Sequence, residues 1–176
     1  MTKLLLAVAL TFLLAGCTPE AGNHAEGQYI ATSNVPLEFR FPAGWRKNEK
    51  DNPFDLQCFA KHERANTGVF AFAREDLAED CEPRDLLQFQ IEDLQSKRRN
   101  FRIKEAEEVV CENGKKLTSV VFSAEKDSSR YYYRFTLVEF DENPGFVAVV
   151  LQVAIPSEWT TYKPILVDIT KSARIR

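Results

Sequence analysis

Histidine is scarce in this sequence, and the signatures of common enzyme classes are missing. Two of the 176 residues are histidines, His24 and His62. His62-Glu63 begins like a zinc-protease motif, but Asn66 stands where the second histidine ligand is needed one helical turn later. The sequence also lacks a Walker loop, a Gly-x-Gly-x-x-Gly run and a Gly-x-Ser-x-Gly elbow. We therefore expect a protein that is not an enzyme and that uses no metal and no cofactor.

The chain has no surplus of positive charge. It carries 23 Lys and Arg against 26 Asp and Glu, a formal net charge of -3. Because binding to nucleic acid depends on basic surface, we expect no nucleic-acid partner. After residue 16, moreover, no apolar run approaches the ~20 residues that a membrane-spanning helix needs. Contact with a membrane therefore requires some other attachment.

The first seventeen residues provide such an attachment. A short positive start, Met1-Thr2-Lys3, precedes an apolar stretch over residues 4–14 and the tetrapeptide Leu14-Ala15-Gly16-Cys17. This order is typical of a secretory signal peptide. The tetrapeptide resembles the lipobox of bacterial lipoproteins, which implies that residues 1–16 are removed and that Cys17 is acylated. A secreted protein with an incidental cysteine is the alternative.

We expect residues 17–30 to form a lipidated cysteine and flexible tether, because they are small and polar without an apolar period. Residues 31–176 then form a single globular domain, a length that can bury a substantial core. By resemblance to Gram-negative sorting, Thr18 after the acylated cysteine favours the outer membrane, facing the periplasm. The membrane would thus be reached through the lipid on Cys17.

Alternating apolar and polar residues predict strands over most of the domain. The helical exceptions are 83–100, which starts with Pro83 and has an apolar stripe, and a closing helix with Ser157 as N-cap and Pro164 as a kink or restart. Asn113-Gly114 predicts a two-residue hairpin turn. Because strands do not alternate with helices, we predict an α+β fold, an antiparallel β-sheet with helices packed on it.

Three cysteines follow Cys17. In an oxidising exported compartment we predict a disulfide between Cys58 and Cys81, leaving Cys111 free. The alternatives are a disulfide of Cys111 with Cys58 or with Cys81, and three buried free thiols.

The strand around the Tyr131-Tyr132-Tyr133 run suggests a possible binding patch. Alternation places Arg130, Tyr132 and Arg134 on one face and the apolar neighbours on the other. An aromatic ring between two guanidinium groups is typical of binding surfaces, although a helix covering this face explains it equally well. A basic cluster, Lys97-Arg98-Arg99, is a second candidate for an acidic partner or lipid headgroups, but it is also explained by the end of the first helix.

The run from Pro36 to Trp45, PLEFRFPAGW, is similar to the opening strand, Pro, Gly and Trp of PsbP-like domains. The later order of helix, Asn-Gly hairpin, long strands and C-terminal helix fits the same family, which includes DcrB-type bacterial lipoproteins. The resemblance covers about residues 30–175. It implies an α-β-α sandwich and an accessory role in the envelope, with no catalytic residues to carry over.

We therefore predict a non-enzymatic envelope lipoprotein that binds or supports another envelope component through a protein partner. A periplasmic inhibitor or immunity-type protein against a toxin or hydrolase is one alternative. A carrier of an apolar small molecule is another, and it requires a cavity lined by phenylalanine side chains.

Overall fold

A computed structural model describes residues 27–176 of the chain. Cys17, His24 and the predicted signal peptide lie outside the described residues. Within residues 27–176 the chain forms two α-helices, α1 (Pro83–Ser96) and α2 (Trp159–Lys171). The strands of this part of the chain are β1 (Gly27–Ala31), β2 (Leu37–Pro42), β3 (Arg46–Lys47), β4 (Leu56–Phe59), β5 (Ala65–Ala73), β6 (Arg99–Glu112), β7 (Lys115–Lys126), β8 (Ser129–Phe140), β9 (Phe146–Ala154) and β10 (Arg174–Ile175).

Seven strands form the main sheet in the order β3-β4-β5-β9-β8-β7-β6, and all neighbours are antiparallel. A smaller sheet has the order β1-β2-β10. Helix α1 packs against one face of the main sheet, whereas α2 and β2 pack against the other. This arrangement confirms the predicted α+β fold and its α-β-α layers.

Two-residue turns set the register of the long hairpins. Asn113 and Gly114, between β6 and β7, have φ of 52° and 68°, as the predicted turn requires. Asp127 and Ser128 make a second such turn between β7 and β8, with φ of 49° and 64°. This turn was not predicted, because neither residue is glycine.

The helix boundaries differ from those predicted. Helix α1 starts at Pro83 as expected, and the backbone N–H of Glu82 donates to the Asp85 carboxylate at 2.9 Å. It ends at Ser96, since Arg99 already pairs with β7. Ser157 lies in a short 3-10 turn, so it is not the N-cap of α2, and α2 continues through the exposed Pro164.

The folded domain begins earlier than the predicted boundary at residue 31. Strand β1 starts at Gly27 and pairs with β2, so residues 27–30, which we assigned to the tether, belong to the sheet. Backbone hydrogen bonds hold this polar segment, which explains why it lacks an apolar pattern. Strand β10, which pairs with β2 after α2, was also not predicted.

Candidate functional site

The side chains of strand β8 point alternately into the two apolar cores of the domain, one on each face of the main sheet. Tyr133, Phe135 and Leu137 are buried on the α1 face, as predicted. Tyr132 and Arg134 point to the opposite face. The candidate patch of Arg130, Tyr132 and Arg134 thus lies on the α2 side of the sheet.

These three side chains do not form one open surface. Arg130 is exposed and pairs with Glu125 at 2.7 Å. Tyr132 is half-buried with its ring edge-on to Trp159, at a centroid distance of 5.3 Å. Arg134 is 6% exposed and donates to Thr170 of α2. Helix α2 therefore covers Arg134, so for this residue a covering helix, and not a binding surface, explains the pattern in the sequence.

Arg134 is the centre of a buried polar network between the sheet and α2. Its Nη1 donates to Gln152 Oε1 at 2.9 Å and to Thr170 Oγ1 at 3.2 Å, and its Nη2 donates to Ser119 Oγ at 2.7 Å. Gln152 Nε2 in turn donates to the carbonyl of Leu166 at 2.7 Å. The network thus links β7, β8 and β9 to the helix.

All partners of the Arg134 guanidinium in this network are neutral. Among the described residues, no carboxylate lies within ion-pair distance of it. Burial lowers the pKa of Arg134 to about 10, while the more distant Glu108 and Glu105 act in the opposite direction. A buried charge is ordinarily paired, because removing it from water is costly.

A cavity of about 130 Å³, called here the α2 cavity, borders Arg134. It is lined by Glu105, Ala106, Glu108, Val110, Leu117, Ser119, Val120, Val121, Arg134, Lys163, Val167 and Lys171. The lining is charged and aliphatic and includes no phenylalanine, so this cavity does not support a carrier of an apolar molecule.

Two ion pairs flank the α2 cavity. Lys163 Nζ lies 2.7 Å from both carboxylate oxygens of Glu105, and Lys171 Nζ lies 2.6 Å from Glu112. Lys163 and Glu105 are 41% and 40% exposed, so this pair reaches solvent. Arg134 is the remaining cation of the lining, and it is the buried one.

The predicted Cys58–Cys81 disulfide is not formed in the structure, where Cys58, Cys81 and Cys111 are free thiols. Cys58 is fully buried in the core on the α2 side, whereas Cys81 lies two residues before α1, which packs on the opposite face. The main sheet therefore separates them. Burial raises the pKa of the Cys58 thiol to about 12, and the nearby Lys47 and Glu49 have smaller, opposing effects.

The basic cluster after α1 is partly engaged within the domain. Lys97 pairs with Asp93 at 2.6 Å, and Arg98 Nε donates to the hydroxyl of Tyr133 at 3.3 Å.

The adjacent carboxylates of β6 point to opposite faces, as alternation predicts: Glu107 pairs with Arg84 at the start of α1, and Glu108 lines the α2 cavity. His62 is exposed in a short 3-10 turn.

The structure places several residues at this site that the sequence analysis did not select. Ser119, Gln152 and Thr170 come from β7, β9 and α2, and Lys163 and Glu105 from α2 and β6. A polar residue in an otherwise apolar strand, such as Gln152 in FVAVVLQVA, is the signal that marks a buried polar contact.

Residues 27–176 contain neither a metal-binding cluster nor a helix that could span a membrane. No group of three or more His, Cys, Asp or Glu side chains there is arranged to hold a metal ion. No helix within residues 27–176 has the length and apolar character needed to cross a bilayer.

Known proteins of the same fold are distant in sequence. No protein-family model matches the chain, and no curated protein matches it. The cyanobacterial PsbP protein (CyanoP) of Synechocystis superposes with a TM-score of 0.62 at 14% identity, covering 89% of this chain and 96% of its own. LpqN of Mycobacterium tuberculosis, a protein involved in cell envelope biogenesis, gives 0.63 at 15% identity, covering 85% and 91%. The Ran-binding protein Mog1p of Saccharomyces cerevisiae gives 0.55 at 11% identity, covering 85% and 95%. The domain therefore has the PsbP-like fold.

Proposed function

We propose that this chain is a lipoprotein of the bacterial cell envelope, anchored through acyl groups on Cys17, whose PsbP-like domain binds a protein partner without catalysing a reaction. The observation that carries the proposal is the fold, which LpqN, a protein of envelope biogenesis, and the Ran-binding Mog1p also have. The Ran binding of Mog1p supports a binding role for this domain.

The N-terminal sequence supports the location in this proposal. Leu14-Ala15-Gly16-Cys17 ends an apolar stretch, and Thr18 follows the cysteine. Acyl chains bind a bilayer by about 0.8 kcal/mol per buried methylene, and more than one chain is needed for stable anchoring. The proposal includes the outer membrane, with the domain facing the periplasm.

Lipid attachment is tested with the wild-type protein and a Cys17→Ala variant in the native host. Mass spectrometry of the mature N-terminus is expected to show an acylated Cys17, and fractionation is expected to place the wild type in the membrane. The variant is expected to leave the membrane fraction. An unmodified, intact Met1 in the wild-type protein would contradict the anchor.

Partner binding is tested in cells with a photo-crosslinking amino acid at one exposed position at a time. Tyr29 on β1, Phe89 on α1 and Ile103 on β6 are suitable, because they are exposed and belong to different secondary-structure elements. A specific partner is expected to crosslink to one protein product at one of these positions during ordinary growth. Equal crosslinking at all three, or none at any, would contradict a defined protein interface.

A further inference from the structure

Two of the N–H donors of the Arg134 guanidinium have no protein acceptor among the described residues. A guanidinium has five N–H donors. Three hydrogen bonds engage both donors of Nη1 and one of Nη2, on Gln152, Thr170 and Ser119. The Nε–H and the second N–H of Nη2 have no protein acceptor among the described residues. Adjacent donors on one guanidinium form the fork that binds a carboxylate through two parallel hydrogen bonds.

The free Nε–H of Arg134 is not sealed from solvent, and Arg134 lines the α2 cavity. Among the described side chains, the polar atoms that are sealed from solvent without a hydrogen-bond partner are Thr67 Oγ1 and Arg74 Nε. Arg134 Nε also lacks a partner but is not sealed, and Arg134 lines the α2 cavity.

The ion pairs around the cavity leave Arg134 and Glu108 as its unpaired charges. Glu105 is held through both oxygens by Lys163, and Lys171 is paired with Glu112, so these charges are already compensated. Glu108, which also lines the cavity, is exposed and makes no ion pair with the described residues. Arg134 is thus the one buried cation of the cavity that lacks a close counter-ion.

The size of the cavity restricts the ligand. About 10–15 Å³ of such volume holds one water molecule. The 130 Å³ observed here therefore accommodates a group of several non-hydrogen atoms but not a large metabolite.

From this arrangement we propose that the α2 cavity is a binding site for a small free carboxylate, which forms a two-pronged ion pair with Nε and Nη2 of Arg134. The site is independent of the protein-binding role proposed above. A carboxylate supplies the negative charge that the buried guanidinium lacks and fits its planar edge.

The proposal is tested by titrating the purified full-length protein with formate, acetate, propionate and citrate at constant ionic strength. Isothermal titration calorimetry measures binding, and ¹H–¹⁵N spectra follow the Nε–H signal of Arg134. We expect saturable binding of the small acids, a shift of that signal with the same dissociation constant, and at least tenfold weaker binding of citrate. Equal binding of citrate, or a signal that stays unchanged at saturating acetate, would overturn the proposal.

Two variants and a matched control assign the binding to the α2 cavity. Arg134→Gln is expected to weaken acetate binding at least tenfold. Val167→Phe fills the cavity from α2 while leaving the hydrogen bonds of Arg134 in place, and it is expected to have the same effect even if the first variant does not fold. Arg130→Gln, on the same strand but paired with Glu125 outside the cavity, should bind acetate like the wild type. Unchanged binding by a folded Val167→Phe variant would place the ligand elsewhere and refute the site.

Discussion

The two faces of the main sheet are built from different kinds of contact. On the α1 face, buried side chains such as Leu87, Leu94, Phe122 and Phe135 form an apolar core. On the α2 face, a similar apolar core is interrupted by Arg134 and its hydrogen-bonded partners. Strand β8 contributes to both, since its odd-numbered and even-numbered residues point to opposite faces.

Both faces bury an apolar core, and the core on the α2 face is the more extensive of the two. Apolar burial on the α1 face contributes favourable free energy without directional requirements. The α2 face contains a buried cation with neutral partners and a cavity beside it, both of which cost free energy. Both faces therefore stabilise the domain, and the α2 face additionally contains a buried cation beside a cavity.

The largest expected effect is the loss of a large apolar side chain from the α1 face. Phe135→Ala is expected to lower the free energy of unfolding by about 3–5 kcal/mol, because Phe135 is fully buried and its removal leaves a cavity. Chemical denaturation followed by circular dichroism measures this change. Phe89→Ala, at a position of α1 that is 65% exposed, is the control and is expected to stay within about 0.5 kcal/mol. Similar losses for the two variants would contradict the assignment of the core.

Removal of the buried cation is expected to cost less. Arg134→Met should lower the free energy of unfolding by about 1–3 kcal/mol, since Gln152, Thr170 and Ser119 lose their donor while the cost of burying a charge disappears. The same denaturation experiment measures it. A loss larger than that of Phe135→Ala would show that the hydrogen-bond network of Arg134 contributes more to stability than a large core side chain does.

The buried thiol on the α2 side predicts a dependence on alkaline pH. The ordinary pKa of 9.0 for Cys58 rises to about 12 in the folded protein, so the folded state binds more protons than the unfolded state between these values. Stability is therefore expected to fall as the pH rises through this window, by about 1 kcal/mol per pH unit. Denaturation of the wild type and of Cys58→Ala at pH 8 and pH 10 measures the difference. The variant should lose less stability between the two pH values, and equal losses would show that the thiol is not responsible.

The smallest expected effects lie at the rims of the two faces. Lys163→Gln removes the ion pair with Glu105 on the α2 side, and Arg84→Gln removes the pair with Glu107 on the α1 side. Because the side chains of both pairs are partly exposed, each change should lower the free energy of unfolding by less than about 1 kcal/mol. Thermal denaturation at low and high salt compares the two variants. A loss of several kcal/mol in either would show that the rim contributes more than the interior.

Local patterns in the sequence predicted the parts of the fold that depend on local chemistry. The alternation around Phe135, the turn at Asn113-Gly114 and the start of α1 at Pro83 were all predicted. Strand β1 was not, because its pairing with β2 relies on backbone hydrogen bonds that leave no apolar period.

The site itself depends on contacts that no local pattern contains. Alternation placed Arg130, Tyr132 and Arg134 on one face, but only the packing of α2 determines that Arg134 is covered and Arg130 is not. The same limitation applies to Cys58 and Cys81, which the sheet separates. Ser119 and Gln152 join the site through the register of three strands, a long-range property.

The most direct test of the account is a high-resolution crystal structure of the protein grown with acetate and, separately, without any carboxylate. The account predicts a planar ligand against Nε and Nη2 of Arg134 in the first crystal and water in the same position in the second. Water alone at Arg134 in both crystals, with acetate present at saturating concentration, would contradict the proposed carboxylate site.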